Sequence, residues 1–308
     1  MPALSHRQPC LWVGFCLIYT FACLHLRAQT EEQPLLTYRH TTAEVRLTFL
    51  ATENQTRRTA SLQQSDFVVV DSDAVVRDFH TFTPAPEMKV ELLILIDCSE
   101  SVSPQVQREL REVLRLITET GGIEEGHLSI ASFAGTQPKT LCQGNCRTWA
   151  SERLSDVAAA GATPLYDAVV FATEVLAQKR DQDVRPVLVI FSDGIDTISR
   201  HSVSEAMEAA LKSEVQIYTV DIAGRKNHQR QGIDTLQTMS KVTGGAYFGV
   251  SDGAEILASV FADLRSAYVV TYSVPSRRAG FHEVRILPTR NHNLEFRSRR
   301  GYYYGTNR

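Results

Sequence analysis

Two short segments of this chain are almost free of polar residues: VELLILI at 90–96 and RPVLVIFSDG at 185–194. Runs that are continuous rather than alternating suit strands covered on both faces, as parallel strands in an α/β sheet are. Around them, strand and helix patterns alternate. Ser103 and Pro104 read as an N-cap and first helical residue. Val106, Leu110, Val113, Leu114 and Ile117 mark one helix face, which Gly121-Gly122 ends. Strand LSIASF (128–133), a loop with two cysteines, and a helix over 164–179 beginning at Pro164 come next. After the strand at 185–194 follow a helix at 202–213, strand VQIYTVDI (215–222), a helix at 233–242, strand AYFGV (246–250) and a helix at 253–266. With right-handed crossovers, this order predicts an α/β fold around a doubly wound, mostly parallel, Rossmann-like sheet.

The flanks differ. Residues 38–80 and 267–300 alternate with a period of two, in AEVRLTFLA, SDFVVVDSDAVVRDF, AYVVTYSV, FHEVRILP and NLEFRSR. They predict small β segments on either side of the core, able to pair with each other. The expected divisions are 29–87 for an N-terminal β module, 88–266 for the α/β domain and 267–308 for a C-terminal β extension. The last 32 residues hold eight arginines and two glutamates, but these alternate with apolar residues and read as the wet face of strands. A net charge of −3 gives no sign of a nucleic-acid or anionic-membrane binder.

Residues 10–26, CLWVGFCLIYTFACLHL, follow His6 and Arg7 and read as a secretory signal peptide cut after Ala28. An uncleaved anchor remains open, because the run is near the lower limit for a span. A lipoprotein at Cys23 fits Thr20 and Phe21 poorly. Export places the protein outside the cell or in the periplasm or envelope. There, Cys142 and Cys146 in CQGNC read as a small loop disulfide. Their spacing is neither that of a redox CxxC nor of a zinc ribbon. Cys98 is left as a small buried hydrophobe with a free thiol. Asn54-Gln55-Thr56 is a glycosylation sequon, meaningful only in a eukaryotic source.

Three segments carry the chemistry. The first apolar strand ends in Asp97-Cys98-Ser99-Glu100-Ser101, Thr163 stands in GATPLYDA, and the second strand ends in Phe191-Ser192-Asp193-Gly194. Singly, each has an ordinary role: serines after a strand cap helices, Thr163 before Pro164 makes an N-cap, and Asp-Gly makes turns. Jointly, they leave a parallel sheet at the crevice where such folds bind ligands. They bring two carboxylates and three hydroxyls, all hard oxygens. Such a set suits a divalent cation, Mg²⁺ first and Mn²⁺ or Ca²⁺ also, with room for an outside ligand.

Asp97-x-Ser99-x-Ser101, Thr163 in TPLYDA and Asp193 in FSDG resemble the metal ion-dependent adhesion site of von Willebrand factor type A domains. The resemblance covers roughly 88–266. The flanking segments SLQQSDFVVVDSDAVVRDF and LRSAYVVTYSVPSRRAGFHEVRI are similar to those of an exported acidobacterial group of related proteins. The resemblance implies that Ser99, Ser101 and Thr163 touch the metal directly, with Asp97 and Asp193 doing so directly or through water. It also implies a protein ligand bound through an acidic side chain. Glu100 stands where the family usually has Gly, and Cys98 is rare at its position. Glu100 adds a carboxylate at the rim, expected to tighten cation binding while repelling an acidic partner.

The expected function is therefore binding, not catalysis, with no catalytic residue assigned. Two other readings stay open. One is an assembly factor whose metal serves stability alone. The other is a serine hydrolase: Gly249-Val250-Ser251-Asp252-Gly253 matches the G-x-S-x-G elbow, with Asp263 and His282 or His292 following in order. Ser251 or Asp252 as a helix N-cap explains that motif without chemistry. No phosphate loop, dinucleotide turn or HExxH helix is present, so nucleotide use and zinc proteolysis have no support.

Overall fold

A computed structural model describes residues 43–54, 59–85, 88–101, 125–153, 161–179, 184–223, 229–249, 253–290 and 293–305. The chain begins with β1 (Glu44–Glu53), β2 (Phe67–Asp71), β3 (Ala74–Val76) and β4 (Thr81–Pro84). The α/β segment runs β5 (Lys89–Asp97), β6 (Leu128–Phe133), β7 (Lys139–Gln143), α1 (Cys146–Arg153), α2 (Leu165–Gln178) and β8 (Val184–Ser192). It continues with α3 (Val203–Lys212), β9 (Gln216–Asp221), α4 (Arg230–Thr243), β10 (Tyr247–Phe248) and α5 (Gly253–Ser266). β11 (Tyr268–Ser273), β12 (Gly280–Pro288), β13 (Leu294–Ser298) and β14 (Gly301–Tyr304) complete it.

The six strands of the α/β segment lie in the order β10-β9-β8-β5-β6-β7, parallel except for β7. β5 and β8 occupy the middle and are apolar on both faces because both faces are covered. On one face, Leu92, Ile94, Val187 and Val189 pack with Ile256, Val260 and Leu264 of α5 and Ala150 of α1. On the other, Leu93, Leu95, Leu188 and Ile190 meet Leu165, Val169, Ala206 and Met239 of α2, α3 and α4. The Rossmann-like expectation holds. From β5 the chain goes to β6 on one side and later to β8 on the other, so the topological switch lies between β5 and β8.

Several local expectations change. The cysteine loop holds an edge strand and a helix: β7 pairs antiparallel with β6, and the Cys142–Cys146 disulfide ties that strand to the first residue of α1 across a Cα separation of 5.5 Å. The half-exposed five-residue β7 has too little periodicity to announce itself. Pro164 is the N-cap of α2 rather than its first helical residue. α4 starts at Arg230, three residues before the apolar periodicity shows, because its first turn is polar and contains Gly232. The helix expected after Ser103, the signal peptide at 1–28, the sequon beyond Asn54, Ser251 and His292 lie outside the described residues.

Strands from the two flanks interleave. One antiparallel sheet runs β13-β1-β11-β4 and a second β14-β12-β2-β3, each drawing strands from both ends of the chain. Their inner faces share one core of Leu47, Phe49, Phe67, Val69, Val270, Tyr272 and Ile286, so they form a sandwich. The β2–β3 hairpin turns at Ser72 and Asp73, both with positive φ (46° and 75°), the mirror-image turn that matches strand twist. Inside the sandwich, buried Asp71 accepts hydrogen bonds from Tyr272 (3.0 Å) and Tyr302 (2.7 Å). The sandwich meets the α/β layers where β8 and β9 begin. There Arg46 reaches the Val184 carbonyl and Glu214, and the Arg300 N–H bonds to the Val242 carbonyl at 2.9 Å.

Candidate metal centre

Asp97 is the last residue of β5, and Ser192 is the last of β8, its neighbour in the sheet. The Ser192 hydroxyl donates to Asp97 Oδ2 at 2.7 Å, and the Ser99 N–H donates to Asp97 Oδ1 at 2.9 Å. The second bond turns the chain sharply out of the strand. The Ser99 and Ser101 hydroxyls then stand 3.0 Å apart. The Cys98 N–H continues the ladder to the Phe133 carbonyl (2.9 Å), so the thiol points into the core, where burial pushes it up to about 12.

Thr163 sits just before α2 and is buried. Its N–H donates to the Thr197 hydroxyl at 2.7 Å, and its carbonyl accepts from the Thr197 N–H at 2.9 Å. The Thr163 hydroxyl takes no part in these bonds. The N-cap role open to it in the sequence is filled by Pro164, without a side-chain bond. Glu100 links this loop to the first: its N–H donates to the Gly161 carbonyl (3.1 Å), and its Oε1 accepts from the Gly161 N–H (3.4 Å).

Asp193 follows β8 and is nearly buried. Its Oδ1 accepts from the Ile195 N–H at 3.0 Å, while Gly194 turns with φ +77°. Gly194 and Gly232 allow α4 to press against this loop. A Cβ on Gly194 would meet the Gly232 carbonyl oxygen at 2.2 Å, and one on Gly232 would meet the Asp193 backbone carbonyl oxygen at 2.1 Å.

The segments thus converge at the carboxyl ends of β5 and β8, at the switch point. Ser192 to Asp97, Glu100 to Gly161 and Thr163 to Thr197 tie them together. Burial pushes Asp97 up to about 6, against the pull of its bonds from Ser99 and Ser192, and Asp193 adds to the rise. Two acids in one dry corner oppose each other's charge, and a dication relieves that cost. No cluster of three or more His, Cys, Asp or Glu suited to a metal occurs among the described residues. A cation here therefore depends on hydroxyls: Ser99, Ser101 and Thr163 beside Asp97 and Asp193. That donor set fits a hard dication with coordination positions left for an outside ligand.

Three supporting residues were not found from the sequence. Ser192 was visible only as a residue before Asp193. Nothing in the sequence marks Thr197 or Gly161 as partners of Thr163 and Glu100. A second knot holds the same loop: Asp167 accepts from the Arg200 and His201 N–H groups at 3.0 Å and from His201 Nδ1 at 2.7 Å. Burial opposes ionisation of Asp167, but these bonds outweigh it and hold the carboxyl below its usual range. Of the hydrolase candidates, Asp263 pairs with Arg297, while His282 bonds the Arg278 carbonyl (2.7 Å) and faces Asp71 and Tyr302. They belong to separate networks.

A family model described as the von Willebrand factor type A domain matches residues 91–263. No curated protein matches the chain. Solved structures similar to it include manganese-loaded TRAP protein of Plasmodium vivax, at 14% identity over 76% of this chain and 97% of that one, with a TM-score of 0.46. An aerotolerance-related membrane protein from Bacteroides fragilis, carrying multiple mutations to serine, shares 14% identity over 57% of this chain and 98% of its own, with a TM-score of 0.45. The conserved hypothetical protein BatB from Bacteroides thetaiotaomicron shares 16% identity over 57% and 97%, with a TM-score of 0.42.

Proposed function

Because the chain belongs to the von Willebrand factor type A domain family, we propose that it is an exported binding module, not an enzyme, that offers a divalent cation to a protein ligand. The observation that carries this reading is the convergence of Asp97, Ser99, Ser101, Thr163 and Asp193 at the sheet's switch point, with no base–nucleophile pair among them. Export rests on the apolar segment at 10–26.

In this reading the hydroxyls of Ser99, Ser101 and Thr163 and the carboxylates of Asp97 and Asp193 hold the ion, Mg²⁺ before Mn²⁺ or Ca²⁺. The ion, when bound, supplies a positive centre able to take a carboxylate oxygen from outside. Ser192 and the Ser99 N–H orient Asp97. Thr197 holds the Thr163 backbone so that its hydroxyl is left for the site. The loop contacts made by Glu100 and Asp167 keep the corner assembled before a ligand arrives.

Calorimetric titration of chelator-cleared protein with Mg²⁺ and Mn²⁺ tests the reading. Wild type is expected to bind one ion, Asp97→Ala none, and Thr163→Ala one ion more weakly with an unchanged fold. A wild type that binds no divalent ion removes the proposal. Undiminished binding in Asp97→Ala moves the ion elsewhere.

A further inference from the structure

Along β12, His282, Val284 and Ile286 are buried in the sandwich, while Phe281, Glu283, Arg285 and Leu287 are exposed on its outer face. The strand register puts Tyr303 of β14 beside Phe281, with ring centroids 5.3 Å apart. It also puts Val70 of β2, and then Val75 of β3, beside Arg285. Phe281 (45% exposed), Leu287 (44%) and Val75 (56%) are three of the four exposed large apolar side chains among the described residues. Three on one sheet face make a patch rather than scattered singles, and such a patch marks an interaction surface.

The charges of this face identify its occupant. Among the described residues, neither Glu283 nor Arg285 has an ion-pair partner. They stand in the middle of the strand, opposite in sign, with an apolar residue beyond each. The order Phe281, Glu283, Arg285, Leu287 is self-complementary under a two-fold rotation centred on Val284. Acid then faces base twice, and Phe281 faces Leu287 twice. An isologous contact needs that property, residue i against j and j against i. Shape agrees with charge. At the Phe281 end, the face and α3 bound a groove of about 620 Å³ whose lining includes Met207, Leu211, Phe281 and Tyr303 but not Leu287. The same rotation carries Leu287 of each copy toward the groove of the other.

We propose that the outer face of β12 pairs with the same face of a second copy, in a two-fold dimer where Glu283 of one protomer meets Arg285 of its partner. At about 3.3 Å per residue, Phe281 to Leu287 spans about 20 Å, across strands about 4.8 Å apart. That is roughly a few hundred Å² per copy, at the low end of protein interfaces, so the dimer forms at concentrations on the order of tens of micromolar. Its charges set register more than strength. None of the residues proposed to hold the cation lines the groove, and the dimer carries two adhesion-type sites.

Sedimentation velocity of residues 29–308 over roughly 2–200 µM is expected to show a monomer–dimer equilibrium. Glu283→Lys alone, or Arg285→Glu alone, sets like charges against each other twice per dimer and is expected to weaken association about tenfold or more. An equimolar mixture of the two variants restores opposite signs at both contacts, and its association is expected to return to the wild-type level. Leu287→Lys, outside the charge pair, is expected to leave a monomer. A wild type that stays monomeric throughout overturns the proposal. So does a dimer that neither charge reversal nor Leu287→Lys weakens, or a mixture that associates no better than its components. All three positions are exposed, so the variants are expected to keep the wild-type circular dichroism. If one charge variant fails to fold, the wild type and Leu287→Lys still decide.

Discussion

The Ser192 hydroxyl and the Asp97 carboxylate, 95 residues apart in sequence, meet at 2.7 Å and join the ends of the two central strands. Both are buried, so neither has water as a substitute partner. Ser192→Ala is expected to destabilise the metal-free protein by about 1–3 kcal/mol, the usual cost of stranding a buried acceptor. It should also weaken Mg²⁺ binding without abolishing it, because Asp97 keeps the Ser99 N–H. Urea unfolding and calorimetry on the same samples check both halves. An unchanged unfolding midpoint in the metal-free variant would show that this bond contributes nothing.

Glu100 has two effects that a single substitution separates. Glu100→Gly removes the carboxylate from the rim and also its contact with the Gly161 N–H. Cation affinity is expected to fall modestly, about two- to fivefold, in keeping with an exposed charge. Capture of a carboxylate-bearing peptide on immobilised, Mg²⁺-loaded protein is expected to improve. Weaker capture would mean that the loop tie matters more than the repulsion.

Asp167 provides a pH signature. Its carboxyl is held below the usual range by the Arg200 and His201 bonds, although burial works the other way. A depressed acid stabilises the fold fully above its unfolded value, near 3.9, and that contribution is lost as pH falls through the lower folded value. Asp167→Ala is therefore expected to lower the thermal midpoint by a few degrees at pH 7, with the gap to wild type closing below about pH 3.9. A gap of constant size from pH 7 to pH 2.5 contradicts this assignment.

The cysteines predict a simple peptide map. Non-reduced digests are expected to show Cys142 linked to Cys146 and Cys98 free. Iodoacetamide at neutral pH should leave Cys98 unmodified until denaturant is added, since the side chain is 5% exposed. Rapid labelling of the native protein would place that thiol outside the core.

The flanks are expected to be inseparable from the α/β layers. A fragment of residues 88–266 loses the contacts of Arg46 with Val184 and Glu214, of Arg299 with Glu214 and of Arg300 with Val242 near the end of α4. It should melt several degrees below residues 29–308 and be less soluble. Equal midpoints and solubility would make the flanks mere appendages.

The legibility of these features follows physical lines. β5, β6, β8 and β9 were readable to within a residue or two because burial on both faces leaves little place for polar side chains, so their sequences are mostly apolar. α5 was readable over its whole length because the Gly253 start and the apolar stripe are both local signals. β7 and α1 were not, since half-exposed edge elements satisfy no strict pattern. That β1 pairs with β11 and β13 depends on strands more than 200 residues away, and a two-residue alternation says nothing of register at such range. The site residues were visible as hard oxygens after apolar strands. Their orientation was not, because Ser192, Thr197 and Gly161 act through hydrogen bonds that exist only once the loops have met.

Apart from a single bridge from Thr52 to Thr59, the strands that pair with β1, β11 and β13, lie beyond residue 267. A ribosome working at roughly 5–20 residues per second therefore completes β1 on the order of 10–45 s before the first of those partners emerges. Throughout that wait β1 exposes unsatisfied edges, the state most prone to pairing with a stranger. The α/β layers, whose strands follow one another within short stretches, can consolidate meanwhile. Closure of the sandwich must then wait until β11 to β14 have been made, and a chain interrupted before Tyr268 would carry a finished centre and an open collar.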